Sequence, residues 1–265
     1  MKTLKTYLTD NRIDGHIHLF DHSGVLSDKV NLNHCSKMIG FMDIQFMNLD
    51  KYEHDDVIKY YDDYIENYLT NNTILLATGK DAETVIDVYK KHPDVIKGFG
   101  ELKCYPFFHD HLGNRYDLPF GNLDWIRPIC EFDKDLRLPI YIHWSLYDDH
   151  CKDALIDLIS SYPTIPFVLC HCGMSDDSKP NKDQYDIIVK LMLRFSNLFV
   201  DISYDALKFF IDNPTCLNTI QDRYIVGTDL NLIAHKRNKV NKYMNNYKRL
   251  YKSKVKCFDV NRLFS

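Results

Sequence analysis

The segment Asp14-Gly15-His16-Ile17-His18 places two imidazoles two residues apart beside a carboxylate. In an extended strand, residues two apart share a face, so His16 and His18 point one way while Ile13, Ile17 and Leu19 point the other. Two neutral imidazoles on one face can serve a single divalent cation. Alone the pair is a short pattern that chance supplies easily. Other apolar runs end in the same manner: Pro139-Ile-Tyr-Ile-His143 and Phe167-Val-Leu-Cys-His171 each finish on one histidine, and Tyr224-Ile-Val-Gly-Thr-Asp229 finishes on an aspartate. With 12 histidines in 265 residues, their recurrence at the ends of successive runs is improbable as an accident.

The elements that would position these side chains alternate along the chain. Strand-like runs are read at Ile13 to Leu19, Met38 to Phe46, Thr73 to Thr78, Val95 to Cys104, Ile140 to Trp144, Phe167 to Cys172, Leu198 to Ser203 and Tyr224 to Leu230. Between them, apolar residues at three and four spacing predict helices over Ala82 to Lys91, Leu123 to Arg137, Cys151 to Ser161, Gln184 to Arg194 and Asp205 to Ile211. Such alternation means parallel βαβ units, and eight of them predict a closed (β/α)8 TIM barrel spanning 1–265 as one domain. There is no G-x-G-x-x-G and no phosphate-cradling glycine loop, which argues against a doubly wound nucleotide-binding sheet. All strands of a barrel finish on one face, so His16, His18, His143, His171 and Asp229 are expected to converge on one mouth.

The fourth run leaves a choice open. Phe99, Glu101 and Lys103 are expected on one strand face, so Glu101 could bridge two metal ions while Lys103 meets an anionic substrate, or the roles could be exchanged. A plain Glu101–Lys103 ion pair would instead leave a mononuclear site. Asp14 is either a hydrogen-bond acceptor orienting a ligand histidine or a strand-start cap. Asp201 either faces the mouth or pairs with neighbouring backbone. Alternation around His171 is expected to turn Cys170 and Cys172 away from it, toward the helices. The irregular stretches Phe20 to Lys37 and Tyr105 to Asn122 follow strands, where barrels keep functional loops, and with Lys103 they offer Tyr105 and Arg115 as substrate contacts.

These segments resemble the amidohydrolase superfamily, in its amidohydrolase-related branch of TIM-barrel metal hydrolases and decarboxylases. The resemblance rests on Asp14-Gly-His-Ile-His18, Gly98-Phe-Gly-Glu-Leu-Lys103, Tyr141-Ile-His143, Leu169-Cys-His-Cys-Gly173, Phe199-Val-Asp-Ile-Ser203, Ile225-Val-Gly-Thr-Asp229 and the tail Asn261-Arg-Leu-Phe264, in that order along almost the whole chain. It implies that His16 and His18 ligate a divalent metal with Asp229, and that His143 and His171 bind metal or polarise substrate. It also implies a carboxylated lysine or a glutamate at strand four. Zinc is the first expectation, with manganese or iron as alternatives and one or two ions. Asp229 is then the proton carrier and His171 the stabiliser of a developing oxyanion.

Composition narrows the partners. Thirty-three Lys and Arg against 37 Asp and Glu give a net charge of -4, no global field for gathering nucleic acid or coating an anionic membrane. A small-molecule substrate is expected, with a homo-oligomer possible. The basic stretch Lys236 to Lys256 and the acidic one Glu53 to Glu66 read as solvated outer helices. Eight dispersed cysteines without C-x-x-C spacing, and an amino terminus without an apolar signal core, predict a reduced, cytoplasmic protein. The function expected is hydrolysis of an amide, ester, lactone or phosphoester bond. Non-oxidative decarboxylation, a TatD-like metal-dependent nuclease and a catalytically silent barrel are the alternatives.

Overall fold

The computed structural model describes residues 13–19, 37–42, 54–104, 107–109, 115–117, 122–146, 149–173, 182–220, 223–229, 249 and 263–264, with backbone alone for 13, 107–109, 115–117 and 204–205. In chain order its elements are β1 (Ile13–His18), β2 (Lys37–Phe41), α1 (His54–Asn67), β3 (Thr73–Ala77), α2 (Ala82–Lys91), β4 (Ile96–Lys103), β5 (Phe107–His109), β6 (Arg115–Asp117), α3 (Arg127–Asp133), β7 (Ile140–His143), α4 (Asp149–Ser161), β8 (Phe167–Leu169), α5 (Lys182–Arg194), β9 (Leu198–Ile202), α6 (Tyr204–Asp212), α7 (Thr215–Thr219) and β10 (Tyr224–Val226). One parallel sheet runs β1-β2-β3-β4-β7-β8-β9-β10. It curls until β10 returns beside β1, where the Asp229 amide donates to the His16 carbonyl at 2.9 Å. The expected (β/α)8 barrel is therefore the fold. The antiparallel hairpin β5–β6 is an insertion after the C-terminal end of β4.

The helices form for local reasons that the sequence shows. Helix α2 starts at the Asp81 cap, whose carboxylate accepts the Thr84 amide, carries Glu83 in its first turn and ends on Lys90 and Lys91, as the helix dipole favours. Helix α1 buries Val57, Tyr61 and Tyr64 and leaves its acidic face wet. The basic stretch 236–256 lies outside the described residues apart from exposed Arg249. Among the described residues, no helix is long and apolar enough to cross a membrane.

Two hydrophobic layers hold the barrel. The larger lies between strands and helices, and the smaller fills the barrel with Ile39, Phe41, Leu76, Tyr141, Val168, Cys170, Ile225 and, from the tail, Leu263. The small layer is the floor on which the polar mouth rests. His16 packs at a tilt against Phe41, with centroids 4.5 Å apart, and Phe41 in turn meets Tyr141 at 5.2 Å.

Two expectations about strand faces fail. Phe99 does not share a face with Glu101: it packs outward against Tyr89 of α2 and Phe132 of α3. The pairing register of β4 shifts between Phe99 and Leu102 against β7, and Gly100 sits at φ 132, so the alternation skips there and Glu101 and Lys103 turn inward. A side chain at Gly100 would lie 2.6 Å from the Tyr141 Cβ, so only glycine allows the two strands to meet in this way. Cys170 likewise faces the barrel interior beside Val168, whereas Cys172 joins the layer under the helices. The sixth strand stops at Leu169, before either cysteine, and the strand rule ceases to apply.

Candidate metal centre

Strand β1 supplies the histidine pair of the site. His16 and His18 are buried and their Nε2 atoms lie 3.1 Å apart. The Nδ1 of His16 is 2.6 Å from Oδ2 of Asp201 on β9. A carboxylate only accepts, so His16 carries its proton on Nδ1 and presents the Nε2 lone pair to the mouth. Asp14, the residue considered for that orienting role, is engaged elsewhere: its carboxylate accepts from the Thr228 amide at 2.9 Å and the Thr228 hydroxyl at 2.6 Å. Asp14 thus fastens β1 to the segment leading to Asp229. Its burial outweighs these bonds and pushes its carboxyl up to about 7.

Strand β4 supplies the centre. The Oε1 of Glu101 is 2.7 Å from His143 Nδ1, 3.4 Å from His171 Nε2 and 4.0 Å from His16 Nε2, while Oε2 is 3.5 Å from Lys103 Nζ and 3.9 Å from His18 Nε2. Burial alone would raise this carboxyl. Lys103 and His143 reverse that and hold it well below the usual carboxylate range.

His171 reaches the mouth by a different route from the β1 pair. Phe167 and Leu169 face the helices, and continued alternation would send residue 171 the same way. Instead His171, Cys172 and Gly173 adopt left-handed backbone, with φ of 51, 56 and 63, which redirects the imidazole inward. For the two non-glycine residues this costs on the order of 1 kcal/mol each. His171 Nδ1 then meets Ser203 Oγ at 2.7 Å, and Ser203 Oγ donates to Asp201 Oδ2 at 2.7 Å. Burial would lower the imidazole's pKa, but Glu101 and the Asp229 and Asp201 charges carry it up to about 9.

Asp229 follows β10 and also has left-handed backbone, φ 54. Its Oδ1 is 2.9 Å from His18 Nε2 and 3.7 Å from His16 Nε2. Despite burial, these imidazoles and His171 hold its carboxyl well below the normal range.

These donors fit a divalent cation. Nitrogen and oxygen ligands about 2.0–2.2 Å from one tetrahedral ion stand roughly 3–3.6 Å from one another, close to the 2.9 to 4.0 Å separations among His16, His18, Glu101 and Asp229. Glu101 Oε2 is buried and accepts no hydrogen bond, and buried Asp229 Oδ1 faces the His18 Nε2, an arrangement that a cation between these groups would compensate. Among the described residues, three ligand-capable groups form: His16, His18 and Glu101; Glu101, His143 and His171; and His16, His171 and Asp201. Of the candidates named from the sequence, His16, His18, Glu101, Lys103, His143, His171 and Asp229 are brought together. Tyr105 lies outside the described residues, and of Arg115 only the backbone, on β6, is described. Ser203 and the full part of Asp201 were missed. The signal was present in Asp201-Ile202-Ser203, which repeats at β9 the two-residue spacing used to read β1.

The model of the family described as amidohydrolase matches residues 103–218. The match covers less than half of the chain. Solved structures agree on the barrel. A probable 2-pyrone-4,6-dicarboxylic acid hydrolase from Acinetobacter baumannii, with citric acid bound, is 12% identical with a TM-score of 0.58, covering 96% of this chain and 99% of its own. An amidohydrolase from Burkholderia multivorans with bound zinc is 11% identical with a TM-score of 0.56, covering 96% and 95%. A Saccharomyces cerevisiae dihydroorotase in complex with 5-fluoroorotic acid is 14% identical with a TM-score of 0.52, covering 82% and 68%. At these identities the likeness is one of fold. No curated protein matches the chain.

Proposed function

We propose that this protein is a metal-dependent hydrolase of the amidohydrolase type that activates water against an amide, ester, lactone or phosphoester bond of a small molecule. The observation that carries this reading is the convergence of the His16 and His18 Nε2 atoms, 3.1 Å apart, on the oxygens of Glu101 and Asp229. His16, His18, Glu101 and Asp229 would hold one divalent ion. Glu101, His143 and His171 form a second donor group around the same carboxylate, so a second ion would share Glu101 as a bridge. Zinc suits the imidazole and carboxylate donors, and manganese or iron would be accepted by the same set. The zinc in the Burkholderia multivorans amidohydrolase is consistent with that order.

When bound, such an ion lowers the pKa of water from 15.7 to about 7. The protein's own residues supply the rest. Asp229, ionised and at the mouth, is placed to take the proton and return it to the leaving group. With one ion bound, His171, which the surrounding carboxylates favour in its protonated form in the absence of metal, is placed to donate from Nε2 toward a developing oxyanion; with a second ion that Nε2 would be a ligand instead. Lys103, at the strand end beside Glu101, offers a cationic contact to an anionic part of the substrate. Tyr105 and Arg115, from the segment after β4, are proposed as further substrate contacts. The 2-pyrone dicarboxylic acid in the name of the Acinetobacter baumannii neighbour is a cyclic ester with two carboxylates, and a substrate of that kind would use both the water-activating centre and Lys103. The six described cysteines are free, in keeping with a cytoplasmic setting.

The test is elemental analysis of protein purified without chelator, set against His16→Ala and His18→Ala. Wild type should carry one or two equivalents of divalent metal and the variants close to none. Equal, near-zero content in all three would overturn the proposal.

A further inference from the structure

Asp201 and Ser203 are two residues apart at the end of β9, and both are fully buried at the wall of the mouth. A single oxygen, Asp201 Oδ2, gathers three donors: His16 Nδ1 at 2.6 Å, Ser203 Oγ at 2.7 Å and the His171 amide at 3.5 Å. The Ser203 hydroxyl has one proton, and it points at the carboxylate, which cannot donate. Its lone pairs therefore face His171 Nδ1, 2.7 Å away, and that nitrogen must be the donor.

A second observation shows that the hydroxyl is committed to this duty. Ser203 is the N-cap residue of α6, with extended backbone at φ -132 and ψ 175, yet its side chain makes no capping bond. Serine at this position ordinarily accepts from a first-turn amide and stabilises its helix by about 1 kcal/mol. Here the hydroxyl turns away from its own helix and into the site.

We infer that Asp201 and Ser203 are positioning residues that act as one pair, fixing both His16 and His171 with the proton on Nδ1 so that both Nε2 atoms face the cation. The inference rests on the metal-dependent reading above. It links the two donor groups, because His16 belongs to one and His171 to the other. A carboxylate alone could orient His16. The serine extends the same negative charge to His171, whose left-handed backbone puts Nδ1 within reach of the hydroxyl but 3.5 Å from Asp201 only through its amide.

The experiment is chelator-competition titration of zinc on the whole protein, paired with NMR of the zinc-loaded, imidazole-15N-labelled protein, in which a hydrogen-bonded Nδ1–H gives a slowly exchanging downfield signal. Ser203→Ala should weaken zinc binding by about 10- to 100-fold, the usual effect of removing a partner behind a ligand. It should also lose the His171 Nδ1–H signal while keeping that of His16. Ser203→Thr, which keeps the hydroxyl on an extended backbone, should restore both. Metal-free Ser203→Ala should melt below wild type, since two buried hydrogen bonds are lost, while metal-free Ser203→Thr should melt close to it. Asp201→Ala should remove both imidazole signals. If wild type binds zinc and Ser203→Ala binds it equally tightly with both signals intact, the positioning pair is overturned while the metal site stands. If wild type binds no zinc, both proposals fail.

Discussion

The two sides of the mouth are built by different means. On β1, Asp14, His16 and His18 face inward, with Ile17 and Leu19 outward in the core, although the register against β2 shifts between Asp14 and Ile17. By contrast, His171 and Asp229 reach the same space from left-handed backbone after β8 and β10. The β1 side takes its geometry from hydrogen bonding between strands and is inexpensive to hold. The irregular side stores conformational strain that the surrounding contacts must offset, the Asp201–Ser203 bonds to His171 and the Asp14–Thr228 bonds before Asp229 among them. Precise placement of reactive groups thus depends on contacts between distant segments, not on local preference.

The largest expected effect lies on the irregular side. Asp229→Asn keeps a residue that tolerates left-handed backbone and removes the carboxylate, so kcat should fall by about 10²- to 10⁴-fold with the fold retained. Steady-state kinetics beside circular dichroism would check this, and unfolding of the variant would show that the charge, not the chemistry, maintains that side. On the β1 side the sensitive point is the seam. A Cβ at Gly15 would lie 2.0 Å from Ile225 Cγ2, so Gly15→Ala should lower stability by about 1–3 kcal/mol in urea titration. Full wild-type stability would mean that β1 and β10 are not tightly closed.

The pH dependence separates the sides further. In chelator-treated protein His171 has its folded pKa raised to about 9 from 6.5. Its contribution is therefore fully present below about 6.5 and is lost as pH rises through 9. Asp14, raised to about 7 from 3.8, acts in a lower window, with its contribution present below about 4 and lost as pH rises through 7. Melting temperature should decline across both windows, with His171→Asn flattening the upper one and Asp14→Asn the lower. The same slope in wild type and variants would remove these groups as its source. The smallest effect comes from a control position: exposed Arg137 has φ 59 and no place in the site. Arg137→Gly should raise stability by about 1 kcal/mol, which measures the backbone cost free of function. His171→Gly should gain less, because it also gives up the bond to Ser203.

The alternating runs were sufficient for the barrel, since amphipathic periodicity and strand length are local properties of the chain. They were sufficient too for naming His16, His18, His143, His171 and Asp229 as strand-end residues. Alternation failed at Phe99, where the β4 register shifts, and at Cys170, where β8 ends early. Both departures depend on neighbouring strands: Gly100 passes against Tyr141, and the turn after Leu169 is held by Asp201 and Ser203. A one-residue shift exchanges the two faces of a strand, and nothing local to the strand records it.

The sequence by itself determined the architecture and which residue types gather at one mouth, because periodicity and chain order need no knowledge of distant partners. Only the tertiary structure decided that Glu101 sits at the centre, that Asp14 fastens the seam and that Asp201 with Ser203 faces the backs of two histidines. Hydrogen bonds between residues as far apart in the chain as 16 and 201 exist only once the barrel has closed.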